Sequence, residues 1–166
     1  MGLFDKFFKA KKSGIVLGAH VEGDAVALSE VSDPTFGEEI MGKGVAVKPT
    51  GNRVVSPCDA VVDMMFDTGH AVNLKSDEGA LEILIHIGLE TVSLKGEGFK
   101  CLKKDGDKVK KGEALIEFDR EFLQSKGFDT IVPMVICNTD DYESVTALTG
   151  KSVAEGDDVL EIKEKK

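Results

Sequence analysis

Two histidines stand out among the few side chains of this sequence that could do chemistry near neutral pH. His70 ends the run Thr68-Gly69-His70, and His86 lies sixteen residues later inside an apolar segment. Imidazole both changes protonation and can act as a nucleophile in this pH range. The chain has only three histidines, one tyrosine and no tryptophan. Any group transfer is therefore expected to run through these two rings.

The segment around His86 alternates like a β-strand that buries one face. The odd-numbered residues from 81 to 87 are all aliphatic, whereas His86 shares the opposite face with Glu82 and Leu84. The aliphatic face belongs to the core, so His86 is expected to point outward from a rigid strand. Thr68 and His70 share a face for the same reason. If the two strands are neighbours, the imidazoles meet at an exposed, apolar spot.

Composition excludes several classes of protein. A length of 166 residues favours one domain, and a net charge of −9 argues against nucleic-acid binding, which needs a clustered basic surface. Three cysteines without close spacing (Cys58, Cys101 and Cys137) indicate neither a disulfide framework nor a cysteine metal site. No apolar stretch approaches the length of a membrane span. These features predict a cytoplasmic protein.

The first twelve residues differ from the rest of the chain. Leucine and phenylalanine recur there at helical spacing, accompanied by four lysines. This pattern predicts an amphipathic basic leader that makes weak, salt-sensitive contact with an anionic membrane, peripheral at its inner face. A frayed tail is the alternative. Residues 13–166 are expected to form the single domain.

From residue 13 onward the pattern is that of an all-β protein. Short apolar runs alternate with glycine, proline and Asp/Asn turns, and the chain has eighteen glycines. Two short helices are also predicted, at Glu121–Lys126 and Asp141–Leu148. We therefore expect an antiparallel β-sandwich or partly open barrel. The clearest strands are Val45–Lys48, Val61–Phe66, Leu81–Ile87, Ala114–Phe118, Ile131–Ile136 and Val159–Ile162.

An internal repeat supports this architecture. The pattern of residues 106–118, a Gly-x-x-Val-x-x-Gly turn followed by an apolar strand, recurs in residues 150–162 at a constant offset of 44. Two such units are expected to pack into one compact β body. Chance similarity is the alternative, because glycine and valine are common in this chain. Two copies are too few for a solenoid.

Several long motifs resemble the glucose-family enzyme IIA of the bacterial sugar phosphotransferase system over about residues 30–166. That family is an all-β sandwich in which a histidine on an apolar strand accepts a phosphoryl group from the phosphocarrier HPr and passes it to a cysteine of a IIB domain. The motifs are His86-Ile87-Gly88-Leu89-x-Thr91-Val92-x-Leu94-Lys95-Gly96-Glu97-Gly98-Phe99, Lys48-Pro49-Thr50-Gly51-Asn52, Ser56-Pro57, Thr68-Gly69-His70-Ala71 and residues 106–118.

The resemblance implies a role for each residue of the site. His86 is the phosphoryl-accepting nucleophile through Nε2, and the Gly88 carbonyl is the candidate to fix its other nitrogen. His70 is the partner that donates a hydrogen bond to a phosphoryl oxygen, and Thr68 orients one of the rings. Because the transition state of phosphoryl transfer is loose, positioning and neutralisation of charge suffice. No metal or other cofactor is required.

A carrier that meets two partners in turn also needs an apolar surface around its histidine. Acidic residues at that surface could meet basic groups of the partners, and Glu90 stands where the family usually has aspartate. Core positions are the alternative for the apolar candidates, above all Ile40 and Met41. The candidates are Phe36, Ile40, Met41, Phe66, Leu84, Asp33 and Glu90.

The chain departs from the family at its first strand. The family commonly has an Ala-Pro pair and an apolar residue before Ser-Gly, whereas this chain has Ala19-His20-Val21-Glu22-Gly23. His20 is expected at the surface. The alternative is a third histidine near the other two, which would complete a metal site.

The sequence bears on three rival functions. Zinc metallopeptidases of the lysostaphin type share a β architecture, but their His-x-His pair and His-x-x-x-Asp ligands are missing. A biotinyl or lipoyl carrier needs a lysine between methionines, and Met-Lys-Met does not occur. The third rival is a regulatory protein that docks on permeases or metabolic enzymes. In that case His70 and His86 could share a zinc ion with a carboxylate of the partner.

Overall fold

The structure is a computed structural model that describes residues 14–165. The two α-helices are α1 (Pro34–Gly37) and α2 (Arg120–Ser125). The strands are β1 (Ile15–Gly18), β2 (Gly23–Val26), β3 (Lys43–Pro49), β4 (Arg53–Val55), β5 (Ala60–Met65), β6 (Ala71–Ser76), β7 (Glu82–His86), β8 (Phe99–Cys101), β9 (Lys108–Val109), β10 (Ala114–Phe118), β11 (Val132–Ile136), β12 (Tyr142–Ala147), β13 (Lys151–Val153) and β14 (Asp158–Glu164).

The described strands form three antiparallel sheets, which confirms the predicted fold class. The largest has the order β13-β2-β3-β11-β7-β6-β5-β9, and the smaller two have the orders β1-β14-β12 and β4-β10-β8. None of the three closes on itself, so the described strands form no closed barrel. The six strands expected from the sequence are all present. Strand β7 lies inside the large sheet between β6 and β11.

The two faces of β7 contact different apolar clusters. Ile83, Ile85 and Ile87 point into the main core, as the alternation predicts. Leu84 belongs to a second, smaller cluster on the other face, together with Phe36 of α1. The exposed fractions of Leu84 and Phe36 are only 7% and 5%. The prediction that these two side chains form exposed partner surface is therefore wrong, because the segment around α1 folds over this face of the sheet.

The internal repeat has a structural counterpart in equivalent hydrogen bonds. The amide of Gly112 donates to the carbonyl of Ser56, and the amide of Gly156, 44 residues later, donates to that of Ala19. In the first copy the Lys110 amide donates to the Glu113 carboxylate, and in the second the Ala154 amide donates to the Asp157 carboxylate. The two turns are therefore held by the same set of bonds.

A pseudo-two-fold relation extends this repeat to the segments that pair with it. The amide of Val55 donates to the carbonyl of His20, and the amide of Gly18 donates to that of Pro57. Gly18 and Val55 are the donors of these two bonds, and Pro57 and His20 are the acceptors. The two bonds are therefore related by a rotation that exchanges residue 18 with 55 and residue 20 with 57. His20 and Pro57 are therefore equivalent positions in the two halves of the fold.

One of the two predicted helices is absent. Residues 120–125 form α2, which Asp119 caps by accepting a hydrogen bond from the Phe122 amide. Asp141–Leu148, however, contains strand β12, which pairs with β14. The β-branched Val145 lies opposite Ile162 in that pairing. Pairing with β14 has overridden the local helix propensity.

Two predictions about chain organisation are not tested by this structure. The basic leader of residues 1–12 lies outside the described residues, and with it the predicted membrane contact. The assignment of residues 13–166 to one domain stays a prediction. Within residues 14–165, no helix combines the length and the apolar character that crossing a bilayer requires.

His20 contradicts the prediction of a surface residue. Its side chain is fully buried, and its Nε2 donates a hydrogen bond to the carbonyl oxygen of Val132 (2.8 Å). Burial lowers the pKa of His20 to about 4, although the bond to Val132 acts in the opposite direction. The ring is therefore neutral in the native protein near pH 7. In the unfolded chain its pKa returns to about 6.5.

This difference in pKa predicts acid lability. Between about pH 6.5 and 4 the unfolded chain binds a proton at His20 that the native protein does not, so the free energy of unfolding falls as the pH is lowered through this range. The full contribution of this one group is about 3 kcal/mol, retained above pH 6.5 and lost by pH 4.

Urea unfolding of the wild type and of His20→Gln at several pH values between 7 and 4 measures this effect. The free energy of unfolding should fall less on acidification in the variant than in the wild type. Its slope against pH should be smaller by the equivalent of about one bound proton. The contribution of His70, which the two proteins share, cancels in the difference. Parallel profiles of the wild type and variant would contradict the prediction.

Candidate functional site

The pairing of β6 with β7 brings His70 and His86 together. Ala71 lies opposite His86 in this register, and the Ile87 amide donates to the carbonyl of His70 (2.7 Å). The centroids of the two imidazole rings are 5.1 Å apart, and the ring planes meet at 77°. The two strands are neighbours, as the predicted meeting of the rings requires.

The orientation of the His86 ring is fixed by the backbone turn after β7. Nδ1 of His86 donates to the carbonyl oxygen of Gly88 (2.8 Å). A carbonyl oxygen can only accept a hydrogen bond, so in the neutral ring the proton is on Nδ1 and the lone pair is on Nε2. His86 is half-buried. The ring therefore presents an unprotonated nitrogen suited to nucleophilic attack.

The turn at residue 88 requires glycine. Its φ of +73° lies in the left-handed region, and a Cβ there would lie 2.7 Å from Cγ2 of Thr91 and 2.8 Å from the carbonyl oxygen of Asp129. The Gly88 amide donates to the carbonyl of Ile131 (2.9 Å). Both backbone polar groups of Gly88 are thus used, one to anchor the turn and one to hold His86.

His70 is held by the residue two positions before it. Oγ1 of Thr68 lies 2.6 Å from Nδ1 of His70, and Gly69 between them has a φ of +71°. A hydroxyl both donates and accepts, so this bond is compatible with either tautomer of His70. If the Thr68 hydroxyl donates, the proton of the ring is on Nε2. His70 can then donate a hydrogen bond from that nitrogen.

His70 is less open to solvent than the sequence suggested. Its exposed fraction is 5%, because Phe66 packs against it with ring centroids 5.3 Å apart and His86 covers another side. The expectation that both rings are exposed is wrong for His70. His86 is therefore the ring open to a reaction partner, and His70 supports it from within.

Both imidazoles are held neutral at pH 7. Burial lowers the pKa of His86, against the opposing effects of the Gly88 carbonyl and the Asp33 carboxylate. Burial and the proximity of His86 lower the pKa of His70 to about 4. A neutral ring keeps the lone pair that a nucleophile requires. The site can therefore carry out nucleophilic group transfer at physiological pH.

The other predicted surface residues divide into exposed and supporting side chains. Ile40 and Met41 are 70% and 39% exposed, and Phe66 is half-buried. Asp33 caps α1 by accepting from the Thr35 amide (2.9 Å), and Phe36 of that helix packs on His86 with centroids 5.3 Å apart.

The turn after β7 adds one exposed apolar residue that the sequence reasoning missed. Glu90 is exposed, with a left-handed φ of +61°. It precedes the 3-10 turn Thr91–Leu94, in which Val92 is 54% exposed. Val92 lies in the motif that follows His86, and an apolar residue in a polar, glycine-rich loop was the available signal.

The site does not provide a complete set of metal ligands. Among the residues that the structure describes, no group of three or more His, Cys, Asp or Glu side chains could hold a metal ion. His20 is buried and bonded to Val132, so the three-histidine metal site is wrong. His70 and His86 are neutral imidazoles, which suit zinc, but they supply at most two of its usual four ligands.

Comparison with known proteins identifies the family of this chain and agrees with the β-sandwich fold. The model of a family described as phosphoenolpyruvate-dependent sugar phosphotransferase system, EIIA 1, matches residues 15–142. The chain therefore belongs to the EIIA family of the phosphotransferase system. Proteins of this family are phosphotransferase components.

Relatives of full length support this assignment. The chain is 42% identical to the PTS system glucose-specific EIIA component of Haemophilus influenzae, over 98% of this chain and 99% of that protein. It is also 42% identical to the component of the same name from Oceanobacillus iheyensis, over 95% and 97% of the two chains. The solved structure of glucose permease IIA from Mycoplasma capricolum is similar, with a TM-score of 0.79, 29% identity and coverage of 89% of this chain and 94% of that one.

Proposed function

We propose that this protein is a phosphoryl carrier that accepts a phosphoryl group from phospho-HPr on Nε2 of His86 and passes it to a cysteine of a IIB domain for sugar uptake. The observation that carries the proposal is the hydrogen bond from His86 Nδ1 to the Gly88 carbonyl, which leaves the lone pair on Nε2. The names of the relatives support glucose as the sugar served.

Acceptance is an in-line displacement at phosphorus. The Nε2 lone pair of His86 attacks the phosphorus atom of the phosphohistidine of HPr, a new N–P bond forms, and the bond to the HPr imidazole breaks with its electron pair. The proton of His86 stays on Nδ1, hydrogen-bonded to the Gly88 carbonyl oxygen, and this bond stabilises the positive charge that develops on the ring. No proton has to be transferred in this step.

His70 neutralises charge on the transferred group. Its ring centroid lies 5.1 Å from that of His86. When the Thr68 hydroxyl donates to Nδ1 of His70, the proton of the ring is on Nε2, which Thr68 does not occupy. That N–H can donate to a phosphoryl oxygen of phosphorylated His86. A donor fixed in a desolvated site stabilises developing charge at little reorganisation cost.

Transfer onward reverses the first displacement with another nucleophile. A thiolate of the IIB domain attacks the phosphorus atom, an S–P bond forms, and the N–P bond breaks so that its electron pair returns to Nε2 of His86. The neutral ring is then ready for the next cycle. Its lowered pKa keeps it unprotonated and so favours re-phosphorylation.

The exposed apolar residues near His86 form the proposed docking surface for both partners. Ile40, Met41 and Val92 contribute exposed apolar area. The carboxylates of Asp33 and Glu90 favour partners with basic groups around their reactive residue. Sequential transfer requires that each complex at this surface be transient.

Labelled phosphoenolpyruvate, the upstream carrier proteins and this chain test the proposal. We expect stoichiometric label that is lost in acid and kept in alkali, as for a phosphohistidine, and that maps to the peptide containing His86. The label should then move to an added IIB domain. A protein that takes up no label under these conditions is not a phosphoryl carrier.

The second candidate, a regulatory binding protein, rests on the pair of neutral imidazoles. His70 and His86 could supply two ligands of a zinc ion, and a carboxylate of a partner could supply a third. Zinc would here link two proteins and supply no chemistry to phosphoryl transfer. The labelling experiment separates the candidates, because a protein that only binds takes up no phosphoryl group.

A further inference from the structure

His20 is a fully buried imidazole that the proposed reaction does not use. Its Nε2 donates to the carbonyl oxygen of Val132, 112 residues later in the chain, and its Nδ1 has no hydrogen-bond partner in the part of the chain that the structure describes. Its pseudo-two-fold equivalent, Pro57, has no side-chain donor. The repeated backbone therefore does not need a donor here, and the bond to Val132 is particular to one half of the fold.

The segment that His20 holds is the one that supports the Gly88 turn. The Gly88 amide donates to the carbonyl of Ile131, directly before Val132, and the Leu89 amide donates to that of Asp129 (3.0 Å). The Asp129 carbonyl oxygen lies only 2.8 Å from the position of a Cβ at residue 88. A displacement of residues 129–132 would therefore also displace the Gly88 turn.

This end of β11 has fewer attachments to β7 than a regular strand. Backbone groups point to alternate sides along a strand, so Pro133 faces the same neighbour as Ile131, which is β7. Proline has no N–H and cannot donate to that ladder. The register between β11 and β7 is continuous from Met134 onward. Val132 faces the opposite neighbour, β3, and the bond from His20 holds its carbonyl at the position between Ile131 and Pro133.

We propose that His20 is a positioning residue of the phosphoryl-transfer site. By holding the Val132 carbonyl, it keeps residues 129–132 in place under the Gly88 turn, and the Gly88 carbonyl then stays within hydrogen-bond distance of His86 Nδ1. The lone pair of His86 is thereby kept on Nε2. The consequence for catalysis rests on the proposed function, whereas the consequence for the tautomer of His86 does not.

Three variants of His20 test this inference. His20→Leu and His20→Pro both lack the donor, and proline is the residue at the equivalent position in the other half of the fold. His20→Gln keeps an N–H at a similar distance from the backbone. Folding of each is checked by circular dichroism and urea unfolding, and one folded donor-free variant suffices. Loss of folding in both donor-free variants would assign His20 to stability alone and overturn the inference.

The first measurement is the tautomer of His86, from long-range ¹H–¹⁵N correlation spectra of the imidazoles at pH 7. Wild type and His20→Gln should show the proton of His86 on Nδ1. The donor-free variants should show a mixture of both tautomers. A donor-free variant that is less stable but keeps the wild-type His86 spectrum would show a structural role only, and the inference would fail.

The second measurement is the rate of phosphoryl uptake from phospho-HPr. The donor-free variants should be slower by about tenfold, and His20→Gln should recover most of the rate, because misplacement of a supporting group has effects of about this size. If wild type takes up no label, the proposed function fails while the tautomer measurement stands. Uptake at the wild-type rate by a folded donor-free variant overturns the catalytic part of the inference.

Discussion

His86→Ala is expected to reduce phosphoryl uptake to background. The alanine side chain has no lone pair to attack phosphorus, and His70 should not replace the lost ring because its Nδ1 is bonded to Thr68 and Phe66 packs against it. Removing the nucleophile removes the covalent intermediate itself, so no partial rate should remain. Incubation with labelled phosphoenolpyruvate and the upstream carriers measures this directly.

The variant must be compared with a folded control at the same position. His86→Gln retains a polar side chain of similar length and should also take up no label, because an amide nitrogen is not a nucleophile. Measurement of the free energy of unfolding of both variants checks that they are folded. Label at the wild-type level in His86→Ala would mean that another residue accepts the phosphoryl group.

His70→Ala is expected to separate the two half-reactions. Uptake should continue, within about tenfold of the wild-type rate, because the attacking ring and its bond to Gly88 are intact. Transfer to the IIB domain should slow by about 10²–10³-fold, the usual effect of removing one fixed donor to a developing oxyanion. Pre-labelled protein mixed with a IIB domain, with the loss of label followed over time, gives the onward rate.

His70→Gln is the matched control because its amide can donate a hydrogen bond from a position near that of the imidazole Nε2. It should recover part of the onward rate that His70→Ala loses. If His70→Ala transfers onward as fast as wild type, His70 does not contact the phosphoryl group. If uptake and transfer are lost together, His70 instead holds His86 in place.

The geometry of the His86 strand could be predicted because it depends on local alternation. A period of two places Ile83, Ile85 and Ile87 on one face and His86 on the other, whichever strands lie beside them. The structure has this arrangement, with the isoleucines in the main core. The meeting of the two histidines was predicted only on condition that their strands are neighbours, and the pairing of β6 with β7 meets this condition.

Burial on the outer face of this strand could not be predicted in the same way. Alternation shows that Leu84 points away from the main core, but not that the segment around α1 returns to cover it. Phe36 and Leu84 are buried in that second cluster, and His70 is covered by Phe66 and His86. These contacts depend on tertiary packing between parts of the chain that are distant in sequence.

Two further differences also depend on contacts that alternation does not show. Residues 142–147 form a strand because β14, which begins at residue 158, pairs with them. His20 is buried because its ring reaches Val132, 112 residues away. Helix propensity within residues 141–148 takes no account of the first contact, and no local window of sequence contains the second. The departure of Ala19-His20-Val21 from the family pattern did mark this position as unusual, although not the direction in which its side chain points.

The position of His86 within the large sheet separates stiffness from adaptability at the site. The reactive ring lies at the end of an interior strand flanked by β6 and β11, whereas Ile40 and Met41 follow the four-residue helix α1. A single helical turn opens locally at a much lower free energy than the centre of a sheet. Under the proposed function, two partners of different shape can therefore each change the conformation of the surface around Ile40 and Met41 while Nε2 of His86 keeps its place.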